Sequence, residues 1–190
     1  MRVLVACEFS GVVRDAFIAR NHDAVSCDLL PSERPGPHFQ LDVTEIIEAS
    51  PGNWDLLIAH PPCTHLAVSG ARWLKGDPER MRLHREASRF FQWLLDAPVP
   101  RVAVENPVMI RRYNGVRPHD FSVQPWQFGH GEIKRTCFWT KGLPPLRPTS
   151  VVEGREARVH RASPGPDRWK ERSRTYQGIA DAMADQWGGG

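Results

Sequence analysis

The chain has 190 residues, of which 41% are hydrophobic and 25% are charged, and its formal net charge is +3. These values are typical of one ordinary folded domain, and no apolar run approaches the roughly 20 residues that a membrane-spanning helix needs. The four cysteines are far apart and form no C-x-x-C pair, which argues against a disulfide scaffold and favours reduced thiols in the cytoplasm.

The first part of the chain alternates between strand-like and helix-like segments. Strands are predicted at residues 3–6, 24–27, 54–59 and 101–104, and helices at residues 12–21, in a short segment after Asp42, and at residues 77–95. This repeated alternation predicts an α/β fold with a doubly wound, mostly parallel sheet.

Beyond residue 109 the pattern weakens. Strands are predicted at residues 123–126 and 136–140, an irregular Pro- and Arg-rich stretch at residues 144–166, and a helix at residues 175–187. Between Arg147 and Arg174 there are eight Lys or Arg residues against four Asp or Glu, so this stretch could meet phosphates or simply face solvent. We predict a single domain over residues 1–190, with an irregular basic insertion at residues 144–175.

The tetrapeptide His60-Pro61-Pro62-Cys63 directly follows the apolar run of residues 54–59. A strand that stops there delivers the next side chains to the carboxyl end of the sheet, where ligands bind in open α/β folds. Two prolines fix φ and remove two backbone donors, so the turn is stiff. Cys63 is therefore a candidate nucleophile, although a small buried cysteine after a turn would fit the same position.

Three successive strand–helix junctions carry residues suited to a nucleoside-bearing cofactor. Phe9-Ser10-Gly11 places a glycine before a helix N-terminus, where backbone amides can meet a carboxylate or phosphate, but it is not G-x-G-x-x-G. Asp28 follows the second strand, where an acidic residue accepts from ribose hydroxyls, and Asp42 could accept from an adenine amino group. Each could also be a cap or turn residue; their recurrence favours a cofactor.

These pieces, in this order, resemble the cytosine-C5 methyltransferases, which use S-adenosylmethionine. The similar segments are Phe9-Ser10-Gly11 (the glycine-bearing first loop), Asp42-Val43-Thr44-Glu45-Ile46 (the adenine segment), Pro61-Pro62-Cys63 (the catalytic Pro-Cys loop) and Glu105-Asn106-Pro107 (the Glu-Asn-Val strand end). A weaker match, Tyr176-Gln177-Gly178-Ile179-Ala180, is similar to the Gly-Asn helix start.

The resemblance implies that the Cys63 thiol adds to cytosine C6 while Glu105 contacts the ring edge, and that Asn106 also contacts the substrate. Glu105 needs a protonated fraction for this role, which burial would favour. The predicted cofactor contacts, from the strand ends and the resemblance together, are Phe9, Ser10, Gly11, Asp28, Asp42, Pro61 and Gly178. His60 and His65 flank the thiol and could lower its pKa or move a proton, or could hydrogen-bond the loop, the role favoured for His65. No metal site is predicted.

The chain departs from the family pattern in two places. The Gln-x-Arg-x-Arg segment corresponds to residues 131–136, so Lys134 or Arg135 would contact the cytosine carbonyl. The interval at residues 143–175 is too short for the family's sequence-reading domain. It still offers four arginines for phosphates, namely Arg155, Arg158, Arg168 and Arg172. Four tryptophans are candidates to replace the lost stacking of a flipped base: Trp73, Trp126, Trp139 and Trp169.

The sequence thus predicts S-adenosylmethionine-dependent methyl transfer to cytosine C5 in DNA, at a short, relaxed or single-stranded site, without a membrane or an obligate protein partner. One alternative is C5 modification of a free cytosine nucleotide. A second is an amino-methyltransferase, whose Asp/Asn-Pro-Pro-aromatic loop resembles residues 60–62 but has no use for Cys63. A third is a catalytically degenerate nucleic-acid-binding module.

Overall fold

A computed structural model of the chain describes residues 1–112, 114–161, 163, 165 and 168–189. The strands are β1 (Arg2–Ala6), β2 (Asp23–Cys27), β3 (His38–Phe39), β4 (Leu56–Ala59), β5 (Arg101–Asn106), β6 (Phe121–Val123) and β7 (Thr136–Lys141). The helices are α1 (Val12–Ile18), α2 (Val43–Ala49), α3 (Pro78–Leu95), α4 (Arg158–Arg161), α5 (Arg168–Ser173) and α6 (Gln177–Gly188). Short 3-10 helices lie at Val68–Trp73 and Pro125–Gln127.

The strands form one sheet of seven in the order β3-β2-β1-β4-β5-β7-β6. The pairs between β3 and β5 along this order are parallel, whereas β7 is antiparallel to both β5 and β6. The predicted α/β class is confirmed, and the sheet is mixed. The carboxyl ends of β1, β2, β4 and β5 lie at the same edge because these strands are parallel, and that edge carries the predicted site residues.

Apolar residues fill the space on both faces of the sheet. Alternate residues of β1 point to opposite sides, so that Leu4 packs in the cluster with α2 and α3 while Val5 packs in the cluster with α1 and α6. Both faces of the inner strands are therefore shielded from solvent. This is why β1 and β4 are almost continuous apolar runs rather than alternating ones.

Several element boundaries differ from those expected. Strand β5 continues through Glu105 and Asn106, which were predicted to close it, because both residues pair with β7. The strand predicted at residues 123–126 ends at Val123, and a 3-10 helix follows because Pro125 has no amide hydrogen to add to a ladder. Helix α1 ends at Ile18, before the left-handed backbone of Asn21 (φ 61°).

The stretch predicted to be irregular contains the short helices α4 and α5, which its weak periodicity did not indicate. Residues 162, 164, 166 and 167 of the predicted insertion lie outside the described residues. Among the described helices, none combines the length and apolar character required to span a bilayer.

Candidate active site

The adjacent strands β4 and β5 bring His60 and Glu105 side by side. Ala59 is in register with Val104, so the residues that follow them form the next pair across the two strands. His60 Nδ1 lies 2.9 Å from Glu105 Oε2, and the two side chains are only 9% and 10% exposed. The histidine that precedes the two prolines thus contacts the predicted ring-contacting glutamate.

The loop that carries Cys63 is tied to the end of β5. Asn106 Nδ2 donates to the carbonyl of Pro61 at 2.9 Å, across the same pair of strands. The amides of Leu66 and Ala67 donate to the carbonyl of Cys63 at 3.0 and 2.9 Å, which closes a turn after the thiol. Pro61 is buried and Cys63 is exposed, so the loop holds the thiol at the sheet edge, open to a ligand.

Helix α3 supports the same loop from behind. His84 is fully buried, and its Nδ1 donates to the carbonyl of His65 at 2.6 Å. His65 therefore takes part in holding the loop through its backbone. The thiol is positioned by groups from β5, α3 and its own turn.

Glu105 is ionised, contrary to the expectation that burial would keep a fraction of it protonated. Burial does raise its pKa, but the hydrogen bond and field of His60, together with the charge of Lys134, outweigh burial and hold the pKa below its usual range. Because an ionised carboxylate only accepts hydrogen bonds, Nδ1 of His60 carries the proton of the bond between them.

The Cys63 thiol is protonated in the free protein. Burial against the loop raises its pKa most, although much of the residue faces solvent, and the negative charge of Glu105 raises it further. The positive charges of Arg172 and Lys134 act in the opposite direction. Burial and the Glu105 carboxylate therefore oppose thiolate formation at Cys63, and the two cations favour it.

Of the two basic residues that the sequence left open, Lys134 lies at this site. Its Nζ donates to the carbonyl of Arg174 at 3.1 Å, and its pKa is lowered by burial while the charges of Glu105 and Cys63 raise it. Arg135 is exposed, and its Nε donates to Ser122 Oγ at 3.2 Å.

Two of the predicted cofactor carboxylates converge at the neighbouring strand ends. The pKa of the Cys7 thiol, at the end of β1, is raised by burial and then by the charges of Asp28, Cys27 and Asp42. Asp28 accepts from the amide of Leu30 at 2.9 Å, and burial raises its pKa. These residues would face a ligand lying across the ends of β1 and β2.

Asp42 caps helix α2. Its Oδ1 accepts from the amide and the hydroxyl of Thr44, at 2.9 and 2.8 Å. Its Oδ2 has no partner among the described residues, so it can accept from a ligand. Capping and ligand binding are therefore compatible at this carboxylate.

The first-turn amides of α1 are not open to a cofactor, which corrects the role expected of Phe9-Ser10-Gly11. The carboxylate of Glu8 accepts from the amides of Val13 and Arg14, at 2.7 and 3.3 Å, and Ser10 Oγ accepts from Val12 at 3.4 Å. Glu8 and Ser10 are buried, and Gly11 has φ 72°. The protein thus caps this helix itself.

A buried arginine, Arg14, was missed by the sequence analysis. Its guanidinium donates to the hydroxyls of Ser26 and Ser32, both at 3.1 Å, and to the carbonyls of residues 34, 35 and 37. It thereby fixes the proline-rich loop that follows Asp28. A charged residue in a short amphipathic helix is normally exposed, so periodicity carries no signal for this role.

Gly178 has a packing role at the start of α6. A Cβ at this position would overlap the carbonyl oxygen of Phe128, and its amide donates to His130 Nε2 at 3.0 Å. This close approach accounts for the glycine. The predicted cofactor contact stays a prediction.

The predicted phosphate-contacting arginines are spread over the C-terminal segment. Arg158 and Arg172 line an open cavity of about 660 Å³, together with Arg161. Arg158 also pairs with Glu132 at 2.9 Å. Arg155 lies 3.9 Å over the ring of Trp126, and Arg168 begins α5.

The tryptophans proposed for base stacking differ in accessibility. Trp139 is 2% exposed and its Nε1 donates to the carbonyl of Arg117 at 2.7 Å, so it belongs to the core and that expectation is wrong. Trp73 and Trp169 are 53% and 51% exposed. Arg72 lies 4.6 Å from the centroid of the Trp73 ring.

Comparison with known proteins gives a likeness of fold. No protein-family model matches the chain. No curated protein matches it. Among solved structures, it is similar to a proposed DNA modification methyltransferase encoded within an Escherichia coli prophage, with a TM-score of 0.52 and 17% sequence identity. The match covers 86% of this chain and 55% of the other, so this chain spans about half the length of that protein.

Proposed function

We propose that this protein transfers a methyl group from S-adenosylmethionine to C5 of cytosine in DNA, with Cys63 as the nucleophile that adds to C6. The observation that carries the proposal is the convergence of Cys63, Glu105 and Lys134, which come from the loop after β4, the end of β5 and the segment before β7. This set combines a thiol, a carboxylate for the ring nitrogen and a cation for the ring carbonyl. An amino-methyltransferase would need neither the thiol nor its electrostatic partners.

Adduct formation at C6 follows from the charges of the site. As the Cys63 sulfur bonds to C6, the electron pair of the C5–C6 double bond moves to C4–C5, the C4–N3 double bond breaks, and N3 takes a proton from Glu105. Glu105 is ionised at rest and Cys63 is protonated, so the carboxylate must gain the one proton that the thiol must lose. These two changes cancel, and the addition needs no net proton from water.

The remaining residues of the site hold the ring in place. Lys134 would donate to the cytosine carbonyl at C2, in the place of the family arginine. Asn106 Oδ1 is buried and has no hydrogen-bond partner among the described residues, so it can accept from the amino group of the base. After transfer, N3 returns its proton to Glu105. The C5 proton passes to water, and the C5–C6 double bond forms again as the Cys63 thiolate leaves.

The strand-end carboxylates fit S-adenosylmethionine. Asp28, at the end of β2, would accept from the ribose hydroxyls, and the open Oδ2 of Asp42 would accept from the adenine amino group. Pro61 and Phe9 are buried and would pack against the cofactor. The bound cofactor supplies an electrophilic methyl group on a sulfonium.

DNA as the substrate is supported by basic and aromatic side chains. Arg158, Arg161 and Arg172 would meet phosphates from the cavity they line, and the charge of Arg172 also acts on the Cys63 thiol. The exposed Trp73 and Trp169 offer stacking surfaces for an extruded base.

A trapping experiment tests the proposal. The protein is incubated with labelled S-adenosylmethionine and either a duplex or a single-stranded oligonucleotide that contains 5-fluorocytosine, whose C5 fluorine cannot leave as a proton. We expect a covalent adduct that is absent in Cys63→Ser. An adduct on 5-fluoro-dCMP but on neither DNA would move the substrate to the nucleotide. Methyl transfer that persists in Cys63→Ala would contradict the thiol mechanism, and cofactor binding without any transfer would favour a binding module.

A further inference from the structure

The geometry points to His60 as a positioning residue that orients Glu105 in the resting site. This inference rests on the proposed function for its catalytic meaning, since Glu105 is there the group that hands a proton to N3.

His60 is placed beside Glu105 by the backbone of β4 and β5. Its amide donates to the carbonyl of Ala6 at 2.9 Å, which continues the ladder of β1 and β4 by one residue. The side chain is thereby set beside Glu105, the next residue in register on β5. A contact that follows directly from strand register is rigid, so the 2.9 Å bond does not depend on a mobile loop.

The second ring nitrogen of His60 shows that the bond to Glu105 is its main polar contact. His60 Nε2 is buried and has no hydrogen-bond partner among the described residues. A buried polar atom without a partner costs free energy, so a hydrogen bond to this nitrogen would be favourable. Here one nitrogen holds the carboxylate, and the other is left for a water molecule or the substrate.

The bond also distinguishes the two oxygens of Glu105. Oε2 accepts from His60, whereas Oε1 has no hydrogen-bond donor among the described residues. The carboxyl group therefore cannot turn freely, and Oε1 is the oxygen left for the base. A carboxylate held in this way needs no reorganisation when the ring arrives.

Other groups around Glu105 also bear on the pKa of its carboxyl group. Lys134, before β7, favours the carboxylate; the Cys63 thiol lies on the loop after β4; and Cys137, on β7, has a pKa that burial and the charge of Glu105 raise. Removal of His60 would leave burial opposed mainly by Lys134. The carboxyl group would then hold its proton to a higher pH.

Two variants separate orientation from charge. His60→Asn places an amide donor where Nδ1 lies, so it keeps a hydrogen bond to Glu105 without the imidazole ring. His60→Ala removes both the hydrogen bond and the ring. Glutamate labelled with carbon-13 at the carboxyl group reports the titration of Glu105, which Glu105→Gln assigns by the loss of one signal. We expect this signal to titrate at the lowest pH in the wild type and at the highest pH in His60→Ala.

The rate of 5-fluorocytosine trapping gives the second readout. We expect His60→Ala to form adduct about tenfold more slowly or worse, and His60→Asn to restore most of the rate, because orientation is what the amide can replace. Equal Glu105 titration in all three proteins, or wild-type trapping in His60→Ala, would overturn the inference. If the wild type forms no adduct on DNA or nucleotide, the proposed function fails, while the titration still decides whether His60 controls Glu105.

Discussion

Asn106 joins the end of β5 to the loop of the candidate nucleophile, through a hydrogen bond of 2.9 Å from its Nδ2 to the carbonyl of Pro61. Both residues are buried, and Asn106 is 1% exposed. The bond sets the distance between the ends of β4 and β5 at the point where the loop after β4 turns towards Cys63. It therefore has a structural and a catalytic consequence, which can be measured separately.

We expect Asn106→Ala to reduce trapping more than it reduces stability. Loss of the bond leaves a buried carbonyl without its donor and should lower the free energy of unfolding by about 1–3 kcal/mol. Displacement of the thiol, together with loss of the Oδ1 contact to the base, should slow adduct formation by about 100-fold. Urea denaturation and the trapping rate measure the two effects. Gln186→Ala, which removes a side-chain amide that bonds to the backbone amide and carbonyl of Arg147, is the control and should trap at the wild-type rate.

Substitution of Glu105 should make the Cys63 thiol more acidic. The ionised carboxylate raises the pKa of Cys63, so its removal in Glu105→Gln lowers that pKa and increases the thiolate fraction at any pH below it. The rate of iodoacetamide labelling at Cys63 is followed by mass spectrometry across pH. We expect its pH profile to shift to lower pH in Glu105→Gln. Glu86→Gln, in an exposed ion pair on α3, is the control. A labelling profile unchanged in Glu105→Gln would show that the two groups do not interact.

Much of this site follows from the order of elements along the chain. The strand before Cys63 and the strand before Asn106 are recognisable as apolar runs, and parallel strands bring their carboxyl ends to one edge. The ionised state of Glu105 could not be predicted from the order of elements. It depends on His60 and on Lys134, which lies 29 positions away along the chain and follows an irregular segment.

The capping of α1 by Glu8 was equally hidden from the sequence. A glycine-bearing loop before a helix is a common pattern for a ligand site, and only the structure shows that a buried carboxylate already accepts from the helix amides. The antiparallel direction of β7 was not predicted either, because direction within a sheet depends on long-range pairing rather than on periodicity.

Lys134 should affect the pKa of the Cys63 thiol, and Arg135 should not. The charge of Lys134 lowers the pKa of Cys63, so Lys134→Met should raise it and shift iodoacetamide labelling to higher pH. Arg135 donates to Ser122 from an exposed position, and Arg135→Met should leave the labelling profile unchanged. The paired substitutions remove one positive charge each, so net charge alone cannot explain a difference. A shift in Arg135→Met and none in Lys134→Met would contradict the assignment of Lys134 to the site.

A methyl group at Gly178 should destabilise the fold without changing the titration of the thiol. In Gly178→Ala the added Cβ would overlap the carbonyl oxygen of Phe128, so α6 or the segment around Phe128 must move, at a cost of about 1–3 kcal/mol. Gly70→Ala is the matched control, because its nearest contact would be the carbonyl oxygen of Thr64 at 3.9 Å. The midpoint of urea denaturation should fall in the first variant and stay near that of the wild type in the second. If Gly178→Ala keeps the wild-type stability and instead weakens binding of S-adenosylmethionine in calorimetry, the glycine serves the cofactor rather than the packing of α6.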